Sequence, residues 1–389
     1  MKTKYSRIPI GNLVEQVKKW NPQAEKDNQV ITYLDISSVS RESKRVEESI
    51  EIKSYEAPSR ARQLVAKDDV LVSTVRPNLN AVAYLEEEFD GATASTGFCV
   101  LRAKSNKLDS RYLYYWVRTT YFIDDMVRES TGASYPAVSD SIIKKNEIPL
   151  PPLEEQKRIA AILDKADRVR RKRQEAIRLT EELGRSIFLD MFGDPVTNPK
   201  GWEVGSIKDI AQVKTGKTPS RKESDNYGGS VPWVKTTEVK DCVIEDTEEH
   251  LTDKGASQMT LFPEQSILVA MYGQGTTRGK TALLSKPSTT NQACSVILPS
   301  KKYDTIYLWS LLQLSYKNLR ELSRGGNQPN LNLDIIKNYQ ICIPPLKDQN
   351  HFAILEIKRR KQQDLVVYSL LESENLFNSL LQRAFRGEL

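Results

Sequence analysis

The 389-residue sequence predicts a mixed α/β (or α+β) fold in which two pseudo-repeated units alternate with two long helices that pair antiparallel or closely side by side. Three observations carry this expectation. Segments recur at a spacing near 193 residues, two proline-bounded stretches have a helical apolar period, and each repeat holds short runs rich in β-branched residues.

The repeat is clearest where Asn146-Glu-Ile-Pro-Leu-Pro-Pro-Leu-Glu-Glu-Gln156 is matched by Tyr339-Gln-Ile-Cys-Ile-Pro-Pro-Leu-Lys-Asp-Gln349. Pro151 and Pro344 stand 193 positions apart, as do Gly132 and Gly325, Pro136 and Pro329, Gln156 and Gln349, and Phe192 and Phe385. Upstream the spacing drifts to 195 at Tyr112/Tyr307, 197 at Val70/Ile267 and 196 at Gln16/Gln212, as loop insertions would cause. The organisation is therefore a first unit (1–145), a helical spacer (146–195), a second unit (196–340) and a second helical spacer (341–389).

In the first unit, Gln29–Ile36, Val70–Val75 and Gly97–Leu101 read as strands, and Arg111–Val127 as a helix. Ser230–Val234, Ser266–Met271 and a helix from about Tyr307 to Leu322 repeat them in the second. After Pro151-Pro152 a helix of about 39 residues is expected, close to 58 Å long. Its seam steps by three and four through Ile159, Ile162, Ala166, Val169, Arg173, Ala176, Thr180, Leu183 and Ile187. The second helix carries Phe352, Leu355, Val366, Leu376 and Leu380 in register. An amphipathic helix this long cannot bury its stripe on one small domain, so the two are expected to pair.

Composition narrows the function. With 57 Lys+Arg against 51 Asp+Glu the formal charge is +6, which permits a nucleic-acid partner without requiring one. Two histidines and four scattered cysteines leave almost no ligands for a transition metal, so no metal site is expected. No segment approaches the roughly 20 apolar residues of a membrane span, and no secretion signal is visible, so a cytoplasmic setting without membrane contact is expected.

No catalytic constellation is complete. Around Lys280 the sequence Tyr272-Gly-Gln-Gly-Thr-Thr-Arg-Gly-Lys-Thr281 imitates a phosphate loop, but five or three residues, not four, separate its glycines, and Pro287 follows too soon for a helix. Asn21-Pro22 and Asn198-Pro199 lack the second proline and aromatic residue of an adenine-methylation motif. What remains is recognition chemistry. Loops rich in Arg, Asn, Gln and Thr carry the side chains that read base edges. The candidates are Arg76, Asn78, Asn80, Ser134 and Tyr135 in the first unit, with Lys217, Gln274, Thr276, Arg278, Lys280, Asn327, Gln328 and Asn330 in the second. Two basic runs, Arg168–Arg173 and Lys358–Lys361, lie on the helices and suit either solvent, DNA phosphates or a partner subunit.

The order variable unit, Pro-Pro-Leu-x-x-Gln helix, variable unit, Pro-Pro-Leu-x-x-Gln helix resembles the specificity subunit of type I restriction–modification systems over essentially the whole chain. The most specific stretches are Ile148–Asp164, Gly325–Asn332 and Leu381–Leu389. The second copy departs mildly, with Lys347-Asp348 for Glu154-Glu155 and more polar seam residues at Arg359 and Gln362. The resemblance implies two target recognition domains, each reading one half of a bipartite, asymmetric double-stranded DNA target. It also implies that the helices form an antiparallel coiled coil that fixes the gap and docks two methyltransferase subunits, with nuclease/translocase subunits joining them. It further implies a non-catalytic chain: S-adenosylmethionine, ATP and Mg²⁺ would belong to the partner subunits. The rival readings are a scaffold whose repeats bind protein, and a nucleotide hydrolase built on the Lys280 loop.

Overall fold

The two proline pairs do start the two long helices. The central helix spans Leu153–Phe192 (40 residues) and the C-terminal helix Leu346–Arg386 (41 residues). Glu154 and Glu155 occupy the positive end of the first, and Arg383 and Arg386 the negative end of the second. Each stops at a glycine in the left-handed region, Gly193 (φ 78°) and Gly387 (φ 79°), whose N–H donates back to Leu189 O and Ala384 O respectively. The computed structural model describes residues 3–24, 29–323 and 330–389. It divides into two units that cut both helices: unit 1 is Met1–Glu175 with Val367–Leu389, and unit 2 is Ala176–Val366.

Within unit 1, one four-stranded sheet has the order Val14–Glu15, Phe98–Ala103, Val70–Ser73, Val82–Tyr84. A second has the order Ile50–Lys53, Val30–Leu34, Thr93–Ser95, Ala61–Leu64. In unit 2 the counterparts are a five-stranded sheet (Val213–Thr215, Cys294–Ile297, Ile267–Ala270, Thr281–Leu284, Cys242–Ile244) and a three-stranded one centred on Tyr227–Val234. Each unit is closed by a two-stranded clasp: Arg7–Pro9 pairs antiparallel with Glu147–Pro149, and Val204–Ser206 with Gln340–Cys342. The prolines at the end of this clasp hold the chain extended until the helix begins.

The helices run antiparallel in both units. In unit 1 Arg158 Nη2 donates to Leu389 O (2.9 Å), and Arg173 Nη1 donates to Ser369 O (2.7 Å). In unit 2 Phe188 packs edge-on against Phe352 (5.3 Å between centroids), while Arg359 Nη1 donates to Thr180 O (3.3 Å). Ile159 and Phe352 are buried in the seam, and Ala166, Ile187 and Leu380 pack at its edge. Ile162, Leu355 and Val366 are half-buried.

Three expected seam residues face solvent instead: Val169 (46% exposed), Leu183 (52%) and Leu376 (57%). A count of apolar spacings alone misplaces the buried faces of these helices because polar residues hold several buried positions, some of them turned to the globular units. Gln156, Asp167, Gln349, Glu356 and Ser373 are all buried. The single helices expected over Arg111–Val127 and Tyr307–Leu322 are also each broken in two. In unit 1 they become Ser110–Trp116 and Thr120–Glu129. The Thr119 hydroxyl donates to Trp116 O (2.8 Å) and accepts from Phe122 N–H (3.2 Å), ending one helix and capping the next. In unit 2 the break falls at buried Ser315, between Thr305–Leu314 and Tyr316–Glu321.

Candidate nucleic-acid interface

The loops predicted from sequence fall at equivalent places. Strands Val70–Ser73 and Val82–Tyr84 form an antiparallel hairpin with Leu71 opposite Ala83, and Ile267–Ala270 and Thr281–Leu284 form one with Leu268 opposite Ala282. These strands are short runs buried on both faces, so their polar connections are pushed to one sheet end.

In unit 1 the tip is a short turn, Pro77–Leu79, flanked by Arg76 (φ 50°) and Asn80 (φ 46°), both left-handed. Arg76 N–H donates to Pro136 O (2.7 Å), and Val75 bridges Ala137, so the second loop lies against the first. The Arg76 guanidinium lies 4.8 Å from the ring centroid of Tyr135, which is itself 69% exposed. Arg76, Tyr135 and their exposed neighbours Asn78 and Ser134 thus form one polar and aromatic tip. A guanidinium on a rigid turn beside an exposed ring offers both a bidentate donor and a stacking face.

Asn80 does not belong to this surface. It is buried, and its Nδ2 donates to Val117 O (2.8 Å), tying the tip to the helical layer. Lys44 Nζ donates to Asn80 O (2.6 Å), and Tyr114 OH donates to Lys44 O (2.9 Å). Burial, aided by the Arg118 and Arg170 charges, pulls the Lys44 ammonium down to about 8. Nothing in the sequence pattern singled out Lys44; its left-handed φ of 57° shows only in the fold.

In unit 2 Gln274 and Thr276 are exposed at the tip, and Tyr272 beside them is 40% exposed. The tip is held from below: Tyr316 OH donates to Thr276 O (2.7 Å), and Arg320 Nη1 donates to Gly275 O (2.9 Å). Lys217 is exposed on an adjoining loop, where Lys217 N–H donates to Thr290 O (2.9 Å) and Met271 N–H to Ala293 O (2.8 Å). Exposed Thr218 on that loop is hydrogen-bonded to exposed Gln292 on the neighbouring connection, and sequence reading missed both. The only signal for Gln292 is a polar Asn-Gln step between two buried strands.

Lys280 is corrected to a structural brace: it pairs with Asp241 and lies 4.9 Å from the Tyr316 ring centroid. Asp241 also accepts from Thr281 N–H (3.0 Å). A strand, not a helix, follows Lys280, so the geometry of a phosphate loop is missing. Arg278 and Asn330 are half-buried, and Asn327 and Gln328 lie outside the described residues. Among the described residues, no cluster of His, Cys, Asp or Glu could hold a metal ion, and no helix is long and apolar enough to cross a membrane.

Two residues fix each unit onto its helix in the same way. Gln156 Oε1 accepts from Asp109 N–H (2.9 Å) and Gln349 Oε1 from Asp304 N–H (2.9 Å). Asp109 and Asp304 are the N-caps of equivalent helices. Tyr112 OH donates to Pro149 O (2.8 Å), and Tyr307 OH to Cys342 O (3.0 Å).

This duplicated design has known counterparts. The family model for the type I restriction modification DNA specificity domain matches residues 8–180 and again 199–362. The chain belongs to that family. It is 24% identical over 369 residues to the type I restriction enzyme HindI specificity subunit of Haemophilus influenzae, covering 74% of this chain and 79% of that one. It is also 24% identical over 301 residues to the MjaIX specificity subunit of Methanocaldococcus jannaschii, covering 73% and 68%. The fold matches a solved type I restriction–modification S subunit from M. genitalium at a TM-score of 0.63, with 12% identity and 98% of this chain and 96% of that one covered. A chain from a structural study of type I complex assembly and conformational transition matches at 0.61, with 23% identity and 99% and 98% covered.

Proposed function

We propose that each unit of this specificity-family chain reads one part of a split, asymmetric double-stranded DNA target through its hairpin tip. The observation that carries the reading is the repetition of one hairpin with different side chains at its tip. Arg76 and Asn78 stand at the hairpin tip of unit 1, and Gln274 and Thr276 at that of unit 2. Equal scaffolds with unequal tips suit unequal half-sites, with phosphate contacts positioning each unit and tip side chains specifying bases. The continuous helices would set the gap between the two parts.

The chain itself would carry no reaction. Methyl transfer to a flipped adenine would occur in two methyltransferase subunits, which with nuclease/translocase subunits would bring S-adenosylmethionine, ATP and Mg²⁺ in the cytoplasm. Each unit leaves apolar helix residues in water for such docking. Val169, Tyr368, Leu371 and Leu376 are exposed in unit 1, and Leu179, Leu183, Ile354, Ile357 and Leu365 in unit 2. Two such surfaces suit two copies of one partner.

The test is an exchange of residues 1–145 with those of a relative of known target. One half of the methylated sequence should change and the other half and the gap should stay. Arg76→Ala should relax the same half by about 1–3 kcal/mol of base discrimination. A change in both halves would overturn the reading.

A further inference from the structure

The basic run on the central helix has a use that the hairpin tips do not exhaust. Within unit 1 a cavity of about 430 Å³ is lined by Arg45, Arg111, Arg168, Arg171 and Lys172, together with Glu86, Asp164 and Glu175. Two of these cations are already engaged. Arg111 donates to Glu86 (2.9 Å), and Arg171 Nε lies 3.4 Å from the Asp167 carboxylate. Arg45, Arg168 and Lys172 are exposed and form no ion pair among the described residues.

The ground behind the cavity is also short of negative charge. Buried Asp167 is shared by three guanidiniums, those of Arg118 (3.1 Å), Arg170 (2.8 Å) and Arg171. Arg118 Nη1 and Arg170 Nε are buried without a hydrogen-bond acceptor among the described residues. Arg45, for its part, follows Lys44, the residue that braces the unit-1 tip through Asn80 O. Cations from a loop and from a helix therefore converge on one concavity, and the loop is the one that holds the recognition tip.

We propose that this cleft binds a phosphodiester of the DNA backbone, with Arg45, Arg168 and Lys172 as its contacts, beside the segment that the unit-1 tip reads. The inference rests on the DNA-reading role proposed above. It is specific to unit 1. In unit 2 the two arginines in the basic run of the C-terminal helix are used internally: Arg359 Nε and Arg360 Nε each lie 2.7 Å from the Glu356 carboxylate, Arg360 covers the Trp309 ring at 4.0 Å, and at the repeat spacing Leu365 stands in place of Lys172.

The experiment is duplex binding by the full chain co-purified with its methyltransferase, followed against salt concentration on a random-sequence duplex and on the target. The Arg45→Gln/Arg168→Gln/Lys172→Gln triple variant is compared with Lys358→Gln/Lys361→Gln, exposed lysines of the unit-2 helix segment. Each lost phosphate contact lowers the salt slope by about 0.9. The triple variant should lose about two to three units of slope and at least tenfold in affinity on both duplexes, keeping its preference for the target, while the control stays near wild type. An unchanged slope with intact target binding overturns the phosphate site alone. A wild-type complex that binds no duplex overturns the DNA-reading role as well. Loss of methyltransferase co-purification with no change in slope would assign the cleft to an acidic partner surface and overturn the proposal.

Discussion

The two units solve one packing problem with the polarity reversed. In unit 1 the globular part supplies the cation: Arg118 stacks 4.9 Å from the Tyr114 ring centroid and pairs with Asp167 of the central helix. In unit 2 the helix supplies it: Arg360 stacks 4.0 Å from the Trp309 ring and its Nη2 donates to Gln313 Oε1 (3.3 Å) of the globular part. At the repeat spacings, Tyr114 corresponds to Trp309, Arg118 to Gln313 and Asp167 to Arg360. A guanidinium over an aromatic ring is retained, but it comes from opposite sides. The repeat therefore keeps the shape of the joint while changing its charges, so a helix segment fitted to one unit would place an unmatched charge against the other.

The apolar half of the joint is retained almost unchanged. Phe385 of the C-terminal helix packs 4.8 Å from Tyr112 in unit 1, and Phe192 of the central helix packs 4.8 Å from Tyr307 in unit 2. Truncating either ring should give the largest effect. Phe385→Ala and Phe192→Ala are each expected to cost about 3–5 kcal/mol in thermal or denaturant unfolding. Hydrogen exchange should show the loss in unit 1 for the first and unit 2 for the second. Equal loss of protection in both units from either variant would break the comparison.

The reversed charges come next. Asp167→Asn leaves Arg118 buried without its counter-ion and should cost about 3 kcal/mol or more, concentrated in unit 1. Burial alone would raise the Asp167 carboxyl, but Arg118, Arg170 and Arg171 outweigh it and hold the group below the usual carboxylate range. Its contribution is therefore complete above the unfolded value near 4 and is lost as pH falls through the lower folded value. Acid unfolding of unit 1 should be shallower in Asp167→Asn than in wild type, as read by circular dichroism between about pH 5 and 2.

The smallest expected effect is at the shared glutamines. Gln156 makes three hydrogen bonds, to Asp109 N–H, Lys107 O and Pro151 O, whereas Gln349 makes two, to Asp304 N–H and Pro344 O. Each Gln→Ala change should cost about 1–3 kcal/mol, Gln156 the more. Chemical denaturation that ranks them in reverse would show that the bonds do not carry the joint.

Much of this was legible in the sequence because repetition supplies its own control. The Pro-Pro-Leu-x-x-Gln segments placed both helices, and an asparagine-rich loop in unit 1 and a glycine-rich loop in unit 2 marked the two hairpin tips. The buried faces of the helices were harder, since Asp167 and Glu356 look like surface residues until their arginine partners are known. Asn80 and Lys280 have the chemistry of base readers, but left-handed backbone at one and a nearby Asp241 at the other turn them inward to brace the tips. Local sequence cannot show such partners, which come from elements about 40 residues away. Phe192 and Phe385 were matched by spacing, yet spacing could not tell which core each would enter.

The most direct measurement is modified-base sequencing of the host genome with this gene intact and deleted. The account predicts a split, asymmetric motif methylated on both strands and lost on deletion. A methylation pattern unchanged by deletion, or a continuous palindromic motif in place of a split one, would contradict it.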